Sequence, residues 1–475
     1  MFKSMSNLLT FEKHENEWTA LCETYLPVVS EKIWRQSRAV TEQDPKQGWK
    51  LHVSATILCA CNVFKQVAPF LSDLGVLFKA PRSMLELKKL NCGMHYGYSQ
   101  IGKFITVYPQ SEEDALFLAN ELHNRTIHFS GPVVPYDIIF QAGSRVHYRY
   151  GSFSNLEMQD QNGKSVPAVR TPEGDLVPDL REPGAAVPEW ITDPFAKQLQ
   201  QDKPKKFSPT LSPLQTTILA YEALSQRGKS GVYRSLDISV SPARLCILKE
   251  GRRDGETDWD SRDGYWRVRQ EANVLNDLIL KGVKVPKVYT TFEEGGNYYL
   301  AMELVEGDNL QTLLRKKLSI QDALRYGIQL AKLLNAIHTS GWVWRDCKPL
   351  NLIVTKQGFI RPIDFEGACR IECPDDTEWG TQGYLPPEWN KPFIGQSRLP
   401  EDLYALGATL HQLFSGQTPR TATLTPVGKL RRKIPFAVRK IISALLDSNP
   451  DTRPASVIVL QTLENAYTEN FGEIL

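Results

Sequence analysis

Six prolines fall between Arg181 and Leu214: Pro183, Pro188, Pro194, Pro204, Pro209 and Pro213, with Lys203, Lys205 and Lys206 among them. Each proline fixes φ and removes a backbone donor, so the stretch reads as extended connection and not as core. It leaves roughly 200 residues before it and roughly 260 after it, each an ordinary domain size. The boundaries expected are a domain over 1–200, a linker over 201–214 and a second domain over 215–475. Before the break, strand-like runs (Trp49–Ala55, Lys103–Tyr108, Arg145–Tyr150) alternate with helical ones such as Glu112–Leu122, which predicts a mixed α+β domain. After it, strands come first and long helical patterns later, which predicts a two-lobed α+β domain. The formal net charge of +2 gives no global attraction for nucleic acid or membrane, so any anion binding must be local. No apolar run is long enough to span a bilayer. The eight cysteines form no paired Cys-x-x-Cys set, which argues against zinc and for free thiols in a reducing cytoplasm.

The second half carries an ordered set of polar residues. Trp344-Arg345-Asp346-Cys347-Lys348-Pro349-Leu350-Asn351 places an aspartate and an asparagine five apart with a lysine between them. This pattern suits phosphoryl transfer: Asp346 accepts the nucleophile's proton, Lys348 steadies the phosphoryl group and Asn351 holds a metal ion. Asp364, in Asp364-Phe365-Glu366-Gly367, is a second candidate ligand for Mg²⁺. Upstream, Lys249 ends the apolar run Leu245–Leu248, and Glu271 lies in the helical stretch Trp266–Leu280, a natural ion-pair partner. Gly228 and Gly231 lie in a turn before Lys249; with Lys249, Glu271 and Glu303 they make up the candidate nucleotide-binding set.

Taken together, these motifs resemble the eukaryotic-type protein kinases over about Leu214–Tyr467. Gly380–Glu388 is similar to the end of that family's activation segment, Glu401–Gly407 to its central helix and Asn449–Pro454 to its late arginine element. The resemblance implies a buried Glu388–Arg453 ion pair, a Ser/Thr-type Lys348, and ATP or GTP with Mg²⁺ as cofactors. Three positions depart from the family: Trp344 stands for the usual histidine, Glu366 for a glycine, and the glycine turn keeps two glycines. The acidic residues Glu372, Asp375, Asp376 and Glu378 suggest a built-in substitute for an activating phosphate.

In the first half, cations gather on strand-like runs. Period two puts Lys50 and His52 on one face of Lys50–Val53, and Arg145, His147 and Arg149 on one face of Arg145–Tyr150. Lys79 ends Gly75–Phe78, and Lys103 opens Lys103–Tyr108. If these strands converge they build a cationic cleft for an anion such as a phosphoryl group. Singly, the same residues fit solvated strand lysines, a satisfied polar histidine and surface arginines.

The order of Gly48–Ala55, Phe78-Lys79, Gly102–Pro109, Val146–Gly151, Pro172–Asp175, Val177–Asp179 and Trp190–Phe195 resembles the N-terminal domain of class III and class IV lanthipeptide synthetases. Those enzymes join a phosphoSer/phosphoThr lyase to a kinase and a cyclase. The resemblance implies that Lys79 is the general base, His52 the general acid and Lys50 the stabiliser of enolate-like charge. It assigns phosphate binding to Lys103 and Arg149, with Arg145 a further candidate and Asp137 placed to orient Arg149. It also implies a precursor peptide with a leader segment as partner. The sequence ends soon after Arg453, which leaves three expectations open: a cyclase outside this sequence, a separate cyclase protein, or dehydration as the final step. A regulatory Ser/Thr kinase with a phosphate-reading first domain is the alternative, and a non-catalytic scaffold a third.

Overall fold

The computed structural model describes residues 5–31, 33–153, 156–196, 212–375, 377, 379–390, 397–420 and 424–473. Residues 201–211 of the expected linker, and Asp376 and Glu378, lie outside these.

The first domain is built on a seven-stranded antiparallel sheet: β1 (Val28–Glu31), β2 (Trp34–Gln36), β3 (Gln47–Val53), β4 (Leu77–Pro81), β5 (Ile105–Tyr108), β6 (Ile138–Ile139) and β7 (Val146–Ser152), in the order β1-β2-β4-β5-β3-β7-β6. Four helices accompany it: α1 (Met5–Tyr25), α2 (Ala60–Asp73), α3 (Met84–Cys92) and α4 (Glu112–Thr126). Strict alternation decides which face is which. Leu51, Val53, Phe78, Val107 and Tyr148 are fully buried in one cluster with Trp18 and Phe64 of α1 and α2. Burying each such side chain stabilises the domain by about 1.5–3 kcal/mol. A one-residue slip would carry Lys50 and His52 into that core, so the register is strongly specified. β5 starts two residues later than the expected strand: Gly102 takes φ +74° and its carbonyl accepts from Phe104 N at 2.8 Å, a tight turn that leaves Lys103 outside the ladder. α4 extends four residues beyond its expected end. Its Ser111 cap accepts from Asp114 N, and acidic residues fill its first turn. A small second sheet, β8 (Glu157–Gln159), β9 (Ser165–Arg170) and β10 (Leu176–Pro178), walls the polar side of the main sheet.

The second domain has the expected two lobes. Its five-stranded sheet, β11 (Ile218–Gln226), β12 (Ser230–Asp237), β13 (Arg244–Gly251), β14 (Val288–Glu294) and β15 (Asn297–Glu303), runs β11-β12-β13-β15-β14 with α5 (Gly264–Leu280) against β13 and β15. The larger lobe packs the helices Ile320–Thr339, Leu399–Ser415, Phe436–Leu445 and Ser456–Phe471 around Leu334, Leu406, Phe414 and Leu463.

Residues 252–263, between β13 and α5, join the two domains. Trp259 is buried in the first domain's core, its ring centroid 5.5 Å from that of Phe11. Asp258 pairs with Lys88 at 2.9 Å, and Asp254 accepts from Gly131 N at 3.1 Å. Asp263 ends the segment as the cap of α5, accepting from Trp266 N at 2.9 Å.

Candidate active sites

Register places the first site. His52 on β3 faces Thr106 on β5 and His147 on β7, and Lys79 on β4 faces Thr106 from the other side. Lys50 faces Arg149. Two polar rows therefore cross the sheet face opposite the core. Lys50, His52, Lys79, Lys103, Thr106 and Arg149 line a cleft of about 370 Å³ that also takes in Arg181.

Within the cleft, Asp137 Oδ2 lies 2.5 Å from His52 Nδ1, and its Oδ1 lies 3.4 Å from the Lys103 ammonium. Arg149 instead pairs with Asp179 and donates to Leu180 O at 2.9 Å. The expectation that Asp137 orients Arg149 is thus corrected: it holds His52 and Lys103. Tyr136, at φ +66°, makes the turn that brings Asp137 there just before β6. Lys79 has no hydrogen-bond or ion-pair partner among the described residues; its ammonium lies 4.8 Å from the centroid of Trp34 and 5.9 Å from that of Tyr108. Arg145 lies apart from the cleft. It sits one residue before β7, donates to Gly131 O at 2.8 Å and lies 3.9 Å from Asp254, on the seam with the second domain.

Charge in this cleft is crowded and poorly solvated. Burial pushes Lys50 down to about 7, with Asp179 opposing and neighbouring cations reinforcing the shift. Burial likewise lowers Lys103 to about 8, against the pull of Asp137. Burial lowers His52 to about 3 despite Asp137. Burial alone would raise Asp137, but His52 and Lys103 hold it well below the usual carboxylate range. The resting pair is then a carboxylate accepting the Nδ1–H of a neutral imidazole.

The second site lies between the lobes. Lys249 Nζ is 2.6 Å from Glu271 and 3.2 Å from Asp364. Asp346 accepts from Lys348 at 2.6 Å, from Asn351 Nδ2 at 2.8 Å and from Thr381 at 2.9 Å. Asp402 accepts from the backbone N–H groups of Trp344 and Arg345 at 2.8 and 2.6 Å, which anchors the loop Trp344–Asn351, the candidate catalytic loop, to the helix Leu399–Ser415. Arg345 and Asp364 both adopt left-handed φ, +70° and +68°, so this loop and the loop Asp364–Gly367, the candidate metal loop, are held in sparsely populated backbone states. Asp364 and Asn351 offer the hard oxygen donors that Mg²⁺ prefers.

The family described as the RamC N-terminal domain matches residues 18–206, and the protein kinase domain matches residues 243–467. The chain joins a RamC N-terminal domain to a protein kinase domain. A probable SapB synthase of Streptomyces coelicolor is 29% identical over 71% of this chain and 37% of its own length. A 3-phosphoinositide-dependent protein kinase 1 of Arabidopsis thaliana is 32% identical over 40% of this chain and 43% of its own. The serine/threonine-protein kinase PknA of Mycobacterium tuberculosis is 32% identical over 39% of this chain and 47% of its own. The chain thus spans less than half the length of each of these relatives.

The departures from the kinase pattern have physical accounts. Trp344 stacks on Phe365 with centroids 5.3 Å apart, and its indole N–H donates to Asp364 O at 2.9 Å, so it supports the metal loop. Glu388 and Arg453 form the implied ion pair, at 2.5 and 2.7 Å. Asp375, from the acidic run, pairs with Arg262 at 2.5 Å and lies 3.7 Å from Arg345. Glu303 ends β15 opposite Cys246 of the Lys249 strand, and Arg361 donates to its carboxylate at 2.9 and 3.1 Å, as does Lys287 N at 3.1 Å. Sequence reasoning missed Asp179, Arg181 and Asp402. Asp179 sits inside a motif used for the resemblance, but its tie to Arg149 needed the fold. Arg181 opens the proline-rich stretch and carries no local signal.

Proposed function

We propose that the protein is a bifunctional peptide dehydratase of lanthipeptide-type biosynthesis. The kinase domain phosphorylates Ser or Thr of a precursor peptide, and the RamC domain eliminates the phosphate. The likeness to a probable SapB synthase supports this reading. The observation that carries it is the row Lys79–Thr106–His52, which sets a lysine and a histidine two strands apart, about 10 Å between backbones, on one cationic face. That spacing suits a base and an acid reaching a bound residue from opposite sides.

In the first step Asp346 takes the proton of the substrate hydroxyl as its oxygen attacks the γ-phosphorus of ATP or GTP, and Lys348 steadies the transferring group. Asn351 and Asp364 would hold Mg²⁺, which neutralises phosphate charge when bound. In the second step Lys79 removes the α-proton, the Cα–Cβ double bond forms and the Cβ–O bond breaks. Lys50 stabilises the developing enolate-like charge on the carbonyl. Lys103 and Arg149 hold the phosphate, and His52 protonates it as it leaves. An incoming phosphate dianion favours the protonated imidazole that this needs, because it offsets the burial that keeps His52 neutral. The product is dehydroalanine or dehydrobutyrine. Hydroxide is a poor leaving group and phosphate a good one, which is why the two activities belong together; one chain also raises the local concentration of the intermediate. A leader segment on the precursor and a cytoplasmic setting complete the proposal.

Mass spectrometry of a Ser-containing precursor with NTP and Mg²⁺ tests it. Wild type should lose one water per modified residue, Lys79→Ala and His52→Ala should accumulate phosphopeptide, and Asp346→Ala should leave the peptide unchanged. Stable phosphopeptide from wild type would sink the lyase assignment and favour a phosphate-reading kinase.

A further inference from the structure

The glycines of the kinase turn are committed to packing. Gly228 N donates to Cys92 O of the RamC domain at 2.9 Å, and a Cβ at Gly228 would lie 1.7 Å from Asn91 O. A Cβ at Gly231 would lie 2.3 Å from the Tyr233 hydroxyl, and Gly231 is paired on both sides in the sheet, with Gln226 and Glu250. In a kinase cleft this turn is where backbone amides meet nucleotide phosphates. Here the N–H of Gly228 is already taken by the neighbouring domain.

A side chain stands where those amides would act. Lys229, at the tip of the turn, reaches Glu366 of the metal loop, and its ammonium lies 4.9 Å from the centroid of Trp379. The other oxygen of Glu366 is 3.9 Å from Lys249 Nζ, which also holds Asp364 at 3.2 Å. One carboxylate therefore lies between two lysines, beside the aspartate that serves the nucleotide's metal. Burial disfavours the charged form of Lys229, but Glu366 and the neighbouring carboxylates outweigh it, and the ammonium stays protonated. Backbone contacts fix the turn: Lys229 O accepts from Arg252 N at 2.9 Å and lies against Gly264 at the start of α5.

We propose that Lys229 is a phosphate-binding residue of the kinase cleft, and that Glu366 is the internal anion a nucleotide's phosphates displace from it. The ligand class is a nucleoside di- or triphosphate. The exchange replaces one anion by another between the same two lysines, so no cation is left unpaired at either end. It accounts for both departures at once: a lysine takes over the grip of the missing glycine amides, and a glutamate at the third position of the metal loop keeps that buried lysine paired. The inference rests on the kinase reading of the cleft.

Calorimetric titration of the full chain with ATP, ADP and adenosine, with and without Mg²⁺, tests it. Lys229→Gln should weaken ATP and ADP about ten-fold and leave adenosine unchanged. Lys229→Arg should stay within a few-fold of wild type, which separates lost charge from lost fold. Glu366→Gln should bind ATP more tightly than wild type without Mg²⁺, because its competitor charge is gone. Unchanged ATP affinity in Lys229→Gln overturns the proposal. So does weaker ATP binding by Glu366→Gln confined to Mg²⁺ conditions, which would make Glu366 a metal ligand. Lys249→Met is the reference: if it binds ATP as wild type does, the kinase reading of the cleft fails, and the inference with it.

Discussion

Asp137 Oδ2 lies 2.5 Å from Nδ1 of His52, and both side chains are buried. The carboxylate fixes the ring so that its other nitrogen serves the cleft. Asp137→Asn keeps the shape and removes the charge. Elimination should fall about 10²-fold, the scale of a misplaced acid–base group, while phosphorylation continues. Phosphopeptide accumulation by mass spectrometry checks this; full dehydration at the wild-type rate would show that Asp137 is structural only.

The lowered lysines give the cleft a pH signature. Lys50, at about 7, and Lys103, at about 8, are cationic below those values and neutral above them. The second ionisation of a phosphoryl group falls near pH 6. Phosphopeptide affinity should rise as pH climbs to about 6.5 and fall as it passes from about 7 to above 8. Calorimetry on Lys79→Ala, which binds without turning over, reads this curve directly. Affinity that keeps rising to pH 9 would mean that Lys103 does not hold the phosphate and that the charge of Lys50 does not draw it in.

Trp259 belongs to the kinase sequence but packs in the core of the RamC domain. Trp259→Ala should destabilise the protein by about 3–5 kcal/mol, as large core truncations do. Because residues 252–263 run on to the cap of α5, which carries Glu271, phosphorylation should drop more than elimination from a pre-phosphorylated peptide. Thermal unfolding and the two separated assays check both halves of this expectation. Equal losses in both assays would point to general unfolding.

Asp375 stands between Arg262 and Arg345, at 2.5 and 3.7 Å. Asp375→Asn should lower phosphorylation about ten-fold: Arg262 keeps Asp260 and Arg345 keeps Glu401, but the carboxylate shared between the two arginines loses its charge. Elimination from a phosphopeptide should be unaffected. Initial-rate assays of the two steps decide it, and unchanged phosphorylation would show that the acidic run has no activating role.

Much of the kinase cleft was legible because its residues carry their chemistry in short segments. Asp346, Lys348 and Asn351 lie within six positions, and local spacing alone places them on one loop. Lys50 and His52 were legible for a similar reason: a period of two fixes them on one face whatever the strand pairs with. Arg145 shows the limit of that argument. It shares the parity of His147 and Arg149, yet it falls one residue before β7 and turns to the domain seam.

The sequence by itself determined two α+β domains, the residue types available for proton and phosphate transfer, and which face of each strand they occupy. These follow from proline placement, alternation and local spacing, which act over a few residues. Tertiary structure alone decided the partners: Asp137 on His52, Asp179 on Arg149, Asp402 beneath the catalytic loop and Glu366 between two lysines. Each of these contacts joins residues 30 or more positions apart. Ionic and hydrogen-bonded pairing depends on distances of a few ångströms, and only the packed sheet and the closed lobes set those distances.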